Sequence, residues 1–194
     1  MALRLRRMGR ISHVVGFDDG PFAPATRGDV LVVGAVFCDR RLEGVLRGKV
    51  RRDGANATRE LVRMVRESRF APHLQAVLLQ GIALAGFNVV DLPLLHRSLG
   101  LPVLVVSRRP PDLAAIERAL LEKVSGGARK WRLVQCAGMP EALAGVYVQR
   151  AGIGGAQAAE LVRRLAINSA IPEPLRTAHL IASGLGLRES RHRA

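Results

Sequence analysis

The chain has 194 residues, 48% of them apolar, enough for one domain with a real core and too few for more than two small ones. No apolar run approaches the roughly 18 residues of a membrane span, and the basic start MALRLRRMGR lacks an apolar h-region and cleavage site, so a soluble cytoplasmic protein is expected. Thirty Lys and Arg against 16 Asp and Glu give a net charge of +14 and a pI near 11.6, which points to an anionic partner, nucleic acid foremost.

Only Lys49, Lys123 and Lys130 are lysines; a GC-rich genome accounts for arginine over lysine but not for the excess of bases over acids. Aromatic residues, at 4%, are too scarce for a broad base-stacking platform. Cys38 and Cys136 stand far apart with no His or Cys at ligand spacing, so neither a disulfide framework nor a zinc site is indicated.

The spacing predicts a single domain over 1–194 with a basic arm over 1–10. Arg4, Arg6, Arg7 and Arg10 make that arm either a phosphate contact or a solvated terminus. Val14 to Phe17 reads as a short apolar strand that delivers Asp18 and Asp19 to a stop at Gly20-Pro21. Such a pair fits either an Asx-type turn or a site for Mg²⁺, which takes one or two carboxylates and fills its other positions with water or phosphate.

Val30 to Val36 is a buried second strand. Leu42 to Arg51 alternates as a third, with Leu42, Gly44, Leu46, Gly48 and Val50 on one side and charges on the other, so it belongs at an edge. A helix follows over Asn56–Ser68 with Asn56 as its N-cap. A short strand over Ala76–Leu79 comes next, then a helix over Val89–Leu99 and a strand over Val103–Val106. Strand, crossover helix and strand imply parallel pairing. With the third strand outermost, the central sheet is five-stranded and mixed, in the order 3-2-1-4-5, flanked by helices.

That order sets the ends of strands one and four beside a topological switch point, where open α/β sheets bind ligands. Asp18 and Asp19 mark one end, Gln80 and Gly81 the other. Ser107-Arg108-Arg109 emerges on the same edge, where Arg108 and Arg109 can receive phosphates. Asn88 is a further polar candidate, and Phe87 is either a stacking surface or core.

Further on, Pro110-Pro111-Asp112 opens a helix that Gly126-Gly127 ends. Trp131–Cys136 and Val146–Gln149 read as short strands. Gly152 to Gly155 opens a helix over Ala156–Ile167. The last helix starts at Ile171-Pro172-Glu173, with Ala178, Ile181, Ala182 and Leu185 inward. Arg176 and His179 share another of its faces, as a phosphate contact or a surface pair.

No serine-nucleophile elbow, His-Glu-x-x-His or Cys-x-x-Cys is present, so the chemistry that remains is acidic: Asp18, Asp19 and Asp91, the last set two or three turns into its helix and either part of the site or a structural hydrogen-bonding group. Metal-assisted phosphodiester cleavage draws on such carboxylates.

The strings GFDDGPF, DGANATRE, LLQGIALAGFNVVDL, LPVLVVSRRPPDL, GVYVQRAG and IPEPLRTAHLIASG, in that order, resemble the archaeal family called domain of unknown function 99, or UPF0215. The resemblance covers nearly the whole chain. It implies an archaeal source, a ribonuclease H-like fold and similarity to endonuclease V, a Mg²⁺-dependent nuclease acting beside deaminated purines. It places Asp18 at the first-strand metal carboxylate, with Asp19 adjacent; Asp18 and Asp19 are the candidate metal ligands. Gln80-Gly81 falls on the fourth-strand Asp-Gly of endonuclease V, so one carboxylate is missing.

Three functions follow from these expectations. The first is a nucleic-acid-associated Mg²⁺-dependent nuclease using Asp18, Asp19 and Asp91. The second is a non-catalytic nucleic-acid-binding module that has lost part of its metal site. The third is an enzyme acting on a small phosphorylated ligand at the switch point.

Overall fold

The computed structural model of the protein describes residues 10–23, 25 and 27–186. The arm over 1–10 lies outside them except for Arg10, whose guanidinium pairs with Asp39 at 2.8 Å.

The first three strands form the expected meander: β1 (His13–Asp19), β2 (Asp29–Cys38) and β3 (Arg41–Arg51). Helix α1 (Ala57–Arg66) buries Ala57, Leu61, Met64 and Val65. Asn56 sits at its N-cap position but caps nothing there; its Oδ1 accepts instead from the Arg51 backbone N–H and the Asn88 Nδ2. After β4 (Ala76–Gln80) the chain makes a small hairpin, β5 (Ala83–Leu84) and β6 (Asn88–Val89), which replaces the expected start of the next helix. Helix α2 (Leu92–Leu99) begins only after Asp91, whose backbone is extended at φ −76° and ψ 94°.

β7 (Val103–Ser107) and α3 (Leu113–Lys123) follow as expected. The stretch containing Trp131–Cys136 is not a strand but helix α4 (Gly127–Cys136). Its buried residues, Gly127, Lys130 and Val134, recur three and four apart, a helical period that the short apolar run had masked. β8 (Glu141–Leu143), β9 (Val146–Ala151), α5 (Gly155–Leu165) and α6 (Glu173–Gly186) complete the chain.

The sheet has seven strands rather than five, in the order β3-β2-β1-β4-β7-β9-β8. The expected order 3-2-1-4-5 corresponds to its first five members. β1, β4 and β7 run parallel, while β9 joins β7 antiparallel and β8 forms the edge beyond it. Alternation along the strands supplies two cores. Val15, Phe17, Val77 and Leu79 meet α1 and α2 on one face. Val14, Leu78, Leu104 and Val106 meet α5 and α6 on the other. Leu120 and Val134, from α3 and α4, close a small satellite core over Val89.

The predicted alternation of β3 breaks near its start. The register steps from Val36↔Gly44 to Phe37↔Leu42, which leaves Glu43 as an extra residue in a bulge and Leu42 exposed. Among the described residues no helix is long and apolar enough to cross a membrane.

Candidate functional site

The carboxyl ends of β1 and β4 lie side by side at the switch point, because β1 leads to β2 on one side and β4 to β7 on the other. Side chains alternate along a strand, so Asp18 and Asp19 face opposite sides of the sheet. Asp18 faces α6. There its Oδ2 accepts from His179 Nδ1 at 2.8 Å, and its Oδ1 accepts the Asp19 backbone N–H at 3.0 Å. His179 reaches this point because Leu175, Ala178 and Ala182 pin the neighbouring stripe of α6 onto the sheet.

Asp18 is 6% exposed, and burial pushes its carboxyl above the ordinary range, against the pull of the His179 hydrogen bond. Asp19 faces the α1 side, where its Oδ2 accepts the Ala85 backbone N–H at 3.0 Å. Burial and then the neighbouring Asp18 charge push Asp19 up to about 6.

Gln80 stands one residue beyond the last β1–β4 register pair, Phe17↔Leu79, so it lies beside Asp18 and on the same face. Its Oε1 is buried and has no hydrogen-bond partner among the described residues, which suits a donor or a cation there. The Asp18 carboxylate and the Gln80 carbonyl are both hard oxygen donors, so the pair fits Mg²⁺ with its other positions left to water and phosphate. Gly81 turns the chain away at φ 81°, and its N–H donates to Val106 O.

The turn of the β5–β6 hairpin is held from two sides. Asp19 takes the Ala85 N–H, and Asp53 Oδ1 takes the Phe87 N–H at 2.8 Å. Ala85 adopts φ 49°, a conformation an alanine holds only when its surroundings demand it. Beyond the hairpin lies a second concavity of about 420 Å³, lined by Asp53, Thr58, Arg59, Asp91, Arg129 and Lys130. Lys130 donates to the Asp53 carbonyl there, and burial lowers its ammonium's affinity for its proton.

The expected residues therefore divide into groups. Asp18, Gln80 and Gly81 meet at the switch point, and His179 joins Asp18 rather than standing as a surface pair with Arg176; Asp19, expected as a second metal ligand, faces the other side of the sheet and binds the Ala85 N–H instead. Arg176 instead binds Glu173 through its Nε at 3.0 Å. Arg108 and Arg109 emerge exposed just past β7, on the same edge.

Asn88 does not belong to a nucleic-acid surface. It is 0% exposed, and it joins Ala57 N, Arg51 O and Asn56 Oδ1 as an internal tie. Asp91 is not within a helix but caps α2, accepting the Leu94 N–H at 2.9 Å, and lines the second concavity instead of meeting Asp18. Phe87 packs into the satellite core. Sequence reasoning missed Asp53 and Lys130; the Arg52-Asp53-Gly54 turn was the local signal for the first, and the helical period of α4 for the second.

A family model described as endonuclease dU matches residues 10–186. A UPF0215 protein of Deinococcus radiodurans is 59% identical over 180 residues, spanning 93% of this chain and 92% of that protein, so such relatives extend beyond archaea. The crystal structure of a protein of unknown function from Archaeoglobus fulgidus superposes with a TM-score of 0.83 at 34% identity, covering 90% of this chain and 98% of that one. Endonuclease V of Ciona intestinalis, solved in complex with a DNA containing an inosine, shares the fold with a TM-score of 0.55 at 12% identity, covering 87% and 83% of the two chains.

Proposed function

This chain belongs to the endonuclease dU family, UPF0215, and on that premise we propose that it is a Mg²⁺-dependent endonuclease acting on nucleic acid that carries deaminated bases. Deoxyuridine in DNA is the first substrate to try, from the family's name. The observation that carries the reading is the buried Asp18–His179 pair beside the partnerless Gln80 oxygen. It stands on the ligand-binding edge of an endonuclease V-like sheet.

The reaction is hydrolysis of a phosphodiester: a water oxygen forms a new P–O bond, the bond to the leaving strand end breaks, and that oxygen takes a proton. Bound Mg²⁺ supplies charge neutralisation at the phosphate and an acidified water. Asp18 and the Gln80 carbonyl are the residues to hold it. Asp19 adds negative charge across the strand end and fixes the Ala85 turn. His179 holds the Asp18 carboxylate in one orientation. The exposed Arg108 and Arg109 bind flanking phosphates, within a chain whose charge of +14 draws the backbone in.

The test is cleavage of a duplex and a single-stranded oligonucleotide carrying one deoxyuridine, with deoxyinosine and unmodified controls, in Mg²⁺ or Mn²⁺. Cutting that needs the metal and vanishes in Asp18→Asn supports the proposal. The neutral Gln80, on a position where endonuclease V carries an Asp, favours a second reading as a non-catalytic binding module. Salt-dependent binding of the same oligonucleotides without cutting in either metal would establish that reading instead.

A further inference from the structure

At the opposite end of β1 the sheet assembles a different set of donors. His13 pairs directly across from Cys38 in the β1–β2 register. The β3 bulge adds Glu43, and one donor atom from each of the three lies within 4.8 Å of the others. We propose that His13, Cys38 and Glu43 bind a zinc-class divalent ion, with a fourth position left to water.

Three observations carry this beyond proximity. First, the donor set is an imidazole, a thiol and a carboxylate, the mixture that suits Zn²⁺ and not Mg²⁺. Second, Glu43 is the extra residue of a β-bulge, a distortion that re-aims a side chain and that sheets keep beside sites.

Third, one ring nitrogen of His13 already has a polar partner. Gln75 Oε1 accepts the Ser12 and His13 backbone N–H groups at 2.7 and 3.0 Å, which identifies that atom as the oxygen. The Ser12 hydroxyl lies 3.1 Å from the same oxygen and can donate to it. The Ser12 Oγ stands 2.9 Å from His13 Nδ1, so with a metal on Nε2 it would accept the Nδ1–H. A polar partner on the far nitrogen is the arrangement that metal-bound histidines adopt.

Arg41 holds only one oxygen of Glu43, Oε1 at 2.6 Å, and leaves the other for a cation. The His73 ring, 6.2 Å from that of His13, flanks the cluster. On binding, the Cys38 S–H bond breaks, the Zn–S bond forms and the proton passes to buffer. His13 and Asp18 lie five residues apart on one strand, so this site stands roughly 17 Å from Asp18 and acts independently of it.

The experiment is titration of the full chain with Zn²⁺ against a chromophoric chelator, and with Co²⁺ read by its thiolate charge-transfer absorption. We expect about one equivalent of tightly bound metal with a thiolate band, retained in Cys136→Ser and in Asp18→Asn. Cys38→Ser abolishes the band. Ser12→Ala keeps the ligands and the band but weakens zinc by about 10- to 100-fold. No tight zinc, a band that survives Cys38→Ser, or zinc affinity lost in Asp18→Asn and unchanged in Cys38→Ser would each overturn the proposal. A protein that binds zinc in this way and cuts no DNA leaves this site standing and removes only the nuclease reading.

Discussion

Gly16 lies directly beneath Pro174: a Cβ placed on Gly16 would stand 2.5 Å from the Pro174 carbonyl carbon and 2.7 Å from the Leu175 nitrogen. The first turn of α6 therefore rests on the bare backbone of β1, two residues before Asp18. This close approach sets the depth of α6 against the sheet, and with it the reach of His179. The same contact joins the fold to the site.

Gly16→Ala should accordingly lift the start of α6 off the sheet, because the atoms in the way are backbone and cannot swing aside. The expected cost is about 1–3 kcal/mol, as for other overpacked cores. Urea denaturation reads the loss of stability. The imidazole proton shifts of His179 by NMR read its separation from Asp18. An unchanged midpoint and an unshifted His179 would show that α6 is positioned by other contacts.

The Asp18–His179 bond makes a second prediction. Removing the imidazole in His179→Ala leaves a buried carboxylate without its charge-stabilising partner, a loss of about 1–3 kcal/mol. Asp18→Asn keeps the shape and lifts the buried charge, so in the absence of metal it should be neutral or stabilising. Thermal melts without Mg²⁺ separate the two variants. Equal destabilisation by both would mean that the pair matters only for packing.

Asp19 yields a pH dependence with a definite sign. Its carboxyl is held at about 6 in the folded chain against an ordinary 3.8, so between these values the unfolded chain has released a proton that the folded one keeps. The stability this group lends is complete below about pH 4 and is lost as pH rises through about 6. Asp19→Asn, which retains an oxygen for the Ala85 N–H, should remove that decline and stabilise the protein at pH 8 by on the order of 1–2 kcal/mol. Chemical denaturation at pH 4 and pH 8 checks it. Parallel pH profiles for wild type and variant would exclude a raised Asp19.

The centre of the fold and half of its site were legible because their signals are local. Apolar runs closed by Gly and Pro mark β1, β2 and β4, and a charged alternating strand marks the edge, which together bring Asp18 and Gln80 side by side and leave Asp19 on the other face of the same strand end. What the chain order concealed was long-range. His179 meets Asp18 across 161 positions, and its helical stripe looks like any surface pair until α6 docks. Asn88 is polar yet wholly internal, because its amide satisfies three groups of the β3–α1 turn. The His13–Cys38–Glu43 cluster was invisible for the same reason: three strands contribute one donor each, and only the register and the bulge bring them together. Spacing rules for zinc sites find ligands that share a loop, not ligands that share a sheet.

Gln80 offers a test of the site that does not rest on loss. Gln80→Glu is isosteric and places a second carboxylate beside Asp18, on the face where the amide oxygen now lacks a partner. Without metal the two close carboxylates repel and are partly desolvated, so the variant should melt below wild type. With Mg²⁺ present the extra charge becomes a ligand, and stabilisation by the ion should grow as its dissociation constant falls. A tenfold tighter site adds about 1.4 kcal/mol at saturating metal. The measurement is the melting temperature of both proteins from zero to high millimolar Mg²⁺. A steeper rise in the variant, ending at or above wild type, places the cation between Asp18 and position 80. Identical Mg²⁺ dependence in the two proteins would mean that position 80 does not hold the ion.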